Sequence, residues 1–154
     1  MKNWKRCRWI FAILALNVTG CAMVNDKAMR LVSSKVSAVA IVNTQLLRGD
    51  MVLLPDRSGT LSLSDEQGAI STCSGQVRLD ASTSGVVDLR CNDGSVALVR
   101  YSLLSDTRGY GYGTTATGSV SLAFGMVGAD AQAYLRVPAT KKLRVNGDGA
   151  LELQ

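Results

Sequence analysis

Apolar and polar residues trade places in short runs along most of this chain. Val36, Ala38, Ala40 and Val42 alternate with Ser37, Val39 and Ile41, the period of two expected of a strand. Met51-Val52-Leu53-Leu54 is a second apolar run, stopped by Pro55-Asp56. Thr60-Leu61-Ser62-Leu63-Ser64 alternates cleanly. Residues 71–79 and 86–91 read as a hairpin across the small-polar turn at 81–85. Asn92-Asp93-Gly94 tolerates positive φ and turns the chain into a strand over 95–104. Residues 109–113 and 118–125 follow, the latter with Val120, Leu122 and Phe124 on one face. A further strand is expected over 132–137, ended by Pro138. Leu143 and Val145 then face Leu151 and Leu153 across Asn146-Gly147-Asp148-Gly149 as a closing hairpin.

Turn signals recur roughly every 8 to 12 residues, the spacing of an all-β sandwich or small barrel. The expectation is one domain over 35–154: all-β, a small antiparallel β-sandwich or a barrel-like meander. Beyond the first residues, only 23–31 has the makings of a short helix.

The first twenty residues follow another pattern. Lys2, Lys5, Arg6 and Arg8 make a basic start, and Trp9-Ile10-Phe11-Ala12-Ile13-Leu14-Ala15-Leu16 is an apolar stretch. A membrane span needs roughly 20 apolar residues, so this stretch is too short and matches a helical signal peptide. Val18-Thr19-Gly20-Cys21 closes it and resembles a bacterial lipobox, with valine where leucine is usual. That resemblance implies removal of residues 1–20 and a thioether-linked diacylglycerol on Cys21, with 21–34 a lipidated N-terminus and tether. Two or three acyl chains make a stable anchor where one is marginal. Ala22, in place of the aspartate that retains lipoproteins in the inner membrane, points to the outer membrane facing the periplasm. Asn17-Val18-Thr19 fits a glycosylation sequon but falls within the leader.

Export changes the reading of the cysteines. Cys7 lies in the leader and Cys21 at the lipid site, leaving Cys73 and Cys91 as a pair in an oxidising space. Both sit on the apolar faces of their strands, as a buried bridge requires. Two reduced, buried thiols are the alternative. A redox couple is disfavoured because the pair lacks C-x-x-C spacing.

The formal charge of +5 belongs mostly to the leader. Without its four basic residues, thirteen Lys and Arg stand against twelve Asp and Glu, with no block of one sign. Nucleic acid is therefore not an expected partner. Histidine is absent, which removes the usual general base near neutral pH and the commonest metal ligand. Both tryptophans, Trp4 and Trp9, lie in the leader. No cofactor or metal is implied, and no catalytic grouping can be assembled. Asn146-Gly147-Asp148-Gly149 with Glu152 has too few alternating oxygen ligands and no flanking helices for an EF-hand, so a turn is expected. Asp65-Glu66 are adjacent rather than spaced across a cleft as a glycosidase needs. Lys141, Lys142 and Arg144 read as a solvated face or a contact with anionic headgroups near the anchor.

Gly109-Tyr110-Gly111-Tyr112-Gly113 is the most unusual local sequence. In a strand its glycines face one way and its tyrosines the other. Bare glycines commonly mark bends and close backbone approach, with the tyrosines packing as architecture. The functional alternative is an aromatic platform of Tyr110, Tyr112 and nearby Tyr101 that stacks on a glycan or an envelope protein.

Taken with Cys73-Ser74-Gly75 and Cys91-Asn92-Asp93-Gly94, this stretch resembles a group of small, largely uncharacterised proteobacterial envelope β-proteins. The likeness covers roughly residues 58–125, with Ser95 where arginine is expected. It implies a disulfide-linked β-domain and supplies no catalytic residues. The expected function is a non-enzymatic structural or binding role at the membrane. An envelope inhibitor or chaperone-like binder is the alternative.

Overall fold

A computed structural model describes residues 33–56, 58–65, 68–70 and 72–154. The leader, Cys21, the helix expected over 23–31 and Glu66 lie outside the described residues. Residues Ser34–Gln154 form one unit.

Eight strands of that unit form a barrel: β1 (Ser34–Val42), β2 (Gln45–Leu53), β3 (Ser58–Ser64), β4 (Thr72–Leu79), β5 (Ser84–Cys91), β6 (Val96–Ser105), β7 (Arg108–Thr114) and β8 (Ser119–Phe124). Each pairs antiparallel with its neighbour in sequence, and β8 closes on β1. Of the two expected architectures the chain therefore adopts the barrel-like meander. Its links are short where the sequence permits left-handed backbone. Asn43 takes φ 56° between β1 and β2, and Gly94 takes φ 85° between β5 and β6.

Alternation decides what fills the barrel. Leu61 and Leu63 are buried while Thr60, Ser62 and Ser64 are exposed, and β4 repeats the pattern. Pairing neighbours followed round from Val42 through Val120, Gly113, Val99, Val87, Val77, Gly59 and Leu53 return to β1 at Ser34, eight residues away. Eight strands with that stagger enclose a narrow space that side chains can fill. Met51, Leu61, Leu89, Val87, Val99, Tyr101, Leu122 and Phe124 fill it here, each no more than 2% exposed.

The outer wall is mainly polar over β2 to β6, where Asp50, Ser62, Ser74, Gln76, Asp88 and Arg100 face away from the core and Val96 and Leu98 are the exposed apolar exceptions. A membrane-spanning barrel needs an apolar outer band, so this wall has the opposite polarity. The outer faces of β1 and β8 are different. Ile41 and Ala123 join Leu46 in a second core, covered by Met126, Ala131, Leu135, Leu143 and Leu151. The covering segment holds a short helix α1 (Gly128–Gln132) and a hairpin of β9 (Leu143–Val145) and β10 (Leu151–Leu153). Burial on both faces is why β8 is almost continuously buried from Val120 to Phe124.

Two sequence expectations change. The strand around Met51 begins six residues earlier, at Gln45, because Arg48 and Asp50 point outward from a strand whose Leu47 and Met51 are fully buried. The strand expected over 132–137 is corrected: α1 ends there and an irregular run follows. A closed barrel offers that run no free edge to pair with. It docks by side chains instead, and the Arg136 N–H donates to the buried Ser121 Oγ at 3.1 Å.

Candidate functional site

The glycine-tyrosine stretch became β7, and its two faces serve two purposes. Gly109, Gly111 and Gly113 point inward. A Cβ on Gly109 would stand 2.5 Å from the Phe124 ring, and one on Gly111 would stand 2.9 Å from Tyr101 Cβ. Gly85 leaves similar room beneath the Tyr101 hydroxyl, at 2.5 Å. The glycines thus make space for two large rings in a narrow barrel.

Tyr101 consequently does not join Tyr110 and Tyr112. It is only 2% exposed and lies inside the barrel, on the opposite side of the sheet. The reason is register: Tyr101 pairs with Gly111, so it shares the glycine face. Burial, with a smaller push from Asp80, raises its phenol to about 12. Its hydroxyl donates a long bond to the Arg78 carbonyl at 3.4 Å.

Tyr110 and Tyr112 form an outer patch with two residues the sequence reading did not single out. Tyr134 stacks on Tyr110 with ring centroids 4.6 Å apart, and Arg136 places its guanidinium 3.9 Å from the Tyr112 centroid. The Tyr112 hydroxyl donates to the Tyr134 carbonyl at 2.9 Å. The signal for these partners was Tyr134-x-Arg136, a spacing that matches Tyr110-x-Tyr112 and lets two side chains meet two. One face of the Tyr110 ring and one face of the Tyr112 ring are thereby engaged by the protein's own chain.

Cys73 and Cys91 are directly opposite each other on β4 and β5 and are bonded, with Cα atoms 4.0 Å apart. The Asn92 N–H donates to the Thr72 carbonyl at 3.0 Å, so the cysteines occupy the closer, non-hydrogen-bonded pairing. Outside the bridge lies a shallow groove lined by Asp50, Ser62, Ser64, Thr72, Ser74 and Arg90. Its surface offers small hydroxyls between one carboxylate and one guanidinium, a set suited to hydrogen bonding.

The acidic turns are local structures. Asp93 accepts from the Ser95 N–H at 2.8 Å and from its hydroxyl at 2.7 Å, which holds its carboxyl below the usual range. Asp56 is lowered by the same pair of bonds from Ser58, the hydroxyl foremost. Ser95, where arginine was expected, thus closes the β5–β6 turn. Asn146 Oδ1 accepts from the Asp148 and Ala150 N–H groups and organises the β9–β10 turn. Among the described residues, no three His, Cys, Asp or Glu side chains are placed to hold a metal ion.

No family model, curated protein or solved structure matches this chain.

Proposed function

We propose that the protein is a lipid-anchored lipoprotein of the cell envelope whose barrel has a non-enzymatic structural or binding role. The observation that carries this reading is Val18-Thr19-Gly20-Cys21, set directly behind a basic start and a short apolar stretch. Two features of the barrel support it. The Cys73–Cys91 bridge suits an oxidising compartment. The mainly polar outer wall agrees with a barrel held outside the bilayer by an anchor such as Cys21. Ala22 favours the outer membrane, and the likeness of residues 58–125 to small proteobacterial envelope proteins agrees. A binding role would be exercised on the wall of β3 to β6, which lies clear of the hairpin of β9 and β10.

Mass analysis of the mature protein is the direct test. The expected product begins at Cys21 carrying acyl chains, and Cys21→Ala blocks processing. A mature protein beginning elsewhere, without fatty acid, overturns the proposal. Cleavage of peptidoglycan by the purified protein would overturn its non-enzymatic part.

A further inference from the structure

The two ends of the barrel are unlike. At the end holding the β1–β2 and β5–β6 turns, the core is closed. Leu63, Ile70, Cys73 and Ala97 are each no more than 4% exposed there, and the Gln45 side chain accepts the Ile70 N–H at 2.8 Å. At the end where β1 begins, the innermost layer is open. Val36, Leu53, Leu79 and Leu103 pack on the core but remain partly exposed. Leu104 and Val127, 49% and 71% exposed, lie beside that open layer.

We propose that this open end rests on the lipid surface, with Val127 and Leu104 meeting the bilayer. The inference depends on the lipid-anchor reading above. Three observations select the bilayer as the occupant. First, Ser34 opens β1 at this end, so the thirteen residues that lead from Cys21 enter the barrel here. Second, Leu104 and Val127, two of the five large apolar side chains exposed among the described residues, stand by a mouth whose lining is itself apolar, which suits a fluid apolar phase. Third, the surrounding charges carry no basic excess. Arg100 lies 4.0 Å from Asp80 and Arg108 3.3 Å from Asp130, with Asp56 and Asp106 nearby. The contact is therefore apolar rather than an attraction to anionic headgroups. Lys141 belongs to the other end, beside Thr44 and Gln45, which removes the basic cluster from this contact.

The test uses the full, processed protein in vesicles of phosphatidylcholine alone. An environment-sensitive fluorophore is attached at Val127→Cys or Leu104→Cys, and for comparison at Leu98→Cys on the β6 wall or Ala116→Cys at the far end. The expected result is blue-shifted emission at 127 and 104, with aqueous iodide quenching weakened roughly three-fold and little changed by salt. Positions 98 and 116 stay aqueous. Hydrogen exchange on the unsubstituted protein supplies a second reading. Vesicles should slow exchange at 54–56, 79–83 and 104–107 relative to detergent. Fully aqueous labels and unchanged exchange, with acyl chains confirmed on Cys21 by mass, overturn the seating and leave the anchor standing. Protection at 98 in place of 127 overturns it in favour of a side-on contact. A mature protein without acyl chains removes both readings.

Discussion

Tyr101 stands edge-on to Phe124 inside the barrel, with ring centroids 5.8 Å apart and planes at 81°. That pair explains why glycines recur on β7. Gly109→Ala would push a methyl group into the Phe124 ring and the Ser102 carbonyl, both 2.5 Å away. The expected loss is about 1–3 kcal/mol, the usual result of overpacking a filled core. Tyr101→Ala should cost about 3–5 kcal/mol through the cavity it leaves. Tyr101→Phe should cost under about 1 kcal/mol, since its hydroxyl makes only one long bond. Urea unfolding of the three variants checks the order.

The same phenol sets a pH limit. Its folded pKa, near 12, stands above the ordinary value of 10.0. Above pH 10 the unfolded chain releases this proton while the folded chain keeps it. Stability is therefore unaffected below pH 10 and falls as pH rises towards 12, by an amount on the order of 2 kcal/mol. Tyr101→Phe should flatten that fall. Chemical unfolding at pH 9, 10 and 11 measures it, and equal slopes for the two proteins would remove Tyr101 as the cause.

The Cys73–Cys91 bridge joins strands already paired by the barrel, across a sequence separation of 18. In the chain-entropy model such a loop contributes about 3 kcal/mol, acting on the unfolded state. The double substitution Cys73→Ala, Cys91→Ala should lower stability by about that amount and leave the circular dichroism of the folded barrel unchanged. A loss of strand signal in native buffer would mean that the bridge is needed to form the sheet.

The barrel strands were largely legible because their inner faces repeat every second residue. Leu61, Leu63, Val87 and Leu89 are examples, and turns such as Asn92-Asp93-Gly94 separate the runs. Gln45–Asp50 was not, because Arg48, Gly49 and Asp50 hide an alternation carried only by Leu47 and Met51. Residues 132–137 misled for a different reason. Their apolar side chains answer to the outside of a finished barrel, and no local period records that. Tyr101 illustrates the limit for the site. Its proximity to Tyr110 in sequence was visible, but only the register with Gly111 tells which side of the sheet it takes.

That outer packing leads to the last prediction. The C-terminal segment is held to β7 by Tyr134 stacked on Tyr110, by the Tyr112 hydroxyl on the Tyr134 carbonyl, and by Arg136 over the Tyr112 ring. The Gln132 amide donates to the Leu143 carbonyl at 2.9 Å, so the hairpin is tied to α1. Tyr134→Ala removes the stacked pair and should cost about 1–3 kcal/mol. Tyr112→Phe removes one hydrogen bond and should cost about 1 kcal/mol. In both variants amide exchange should quicken across β9 and β10 while β3 to β6 keep their protection, since the barrel closes without the C-terminal segment. Should Tyr134→Ala instead loosen every strand together, the two cores would be one cooperative unit, and the outer tyrosines would belong to the stability of the whole barrel.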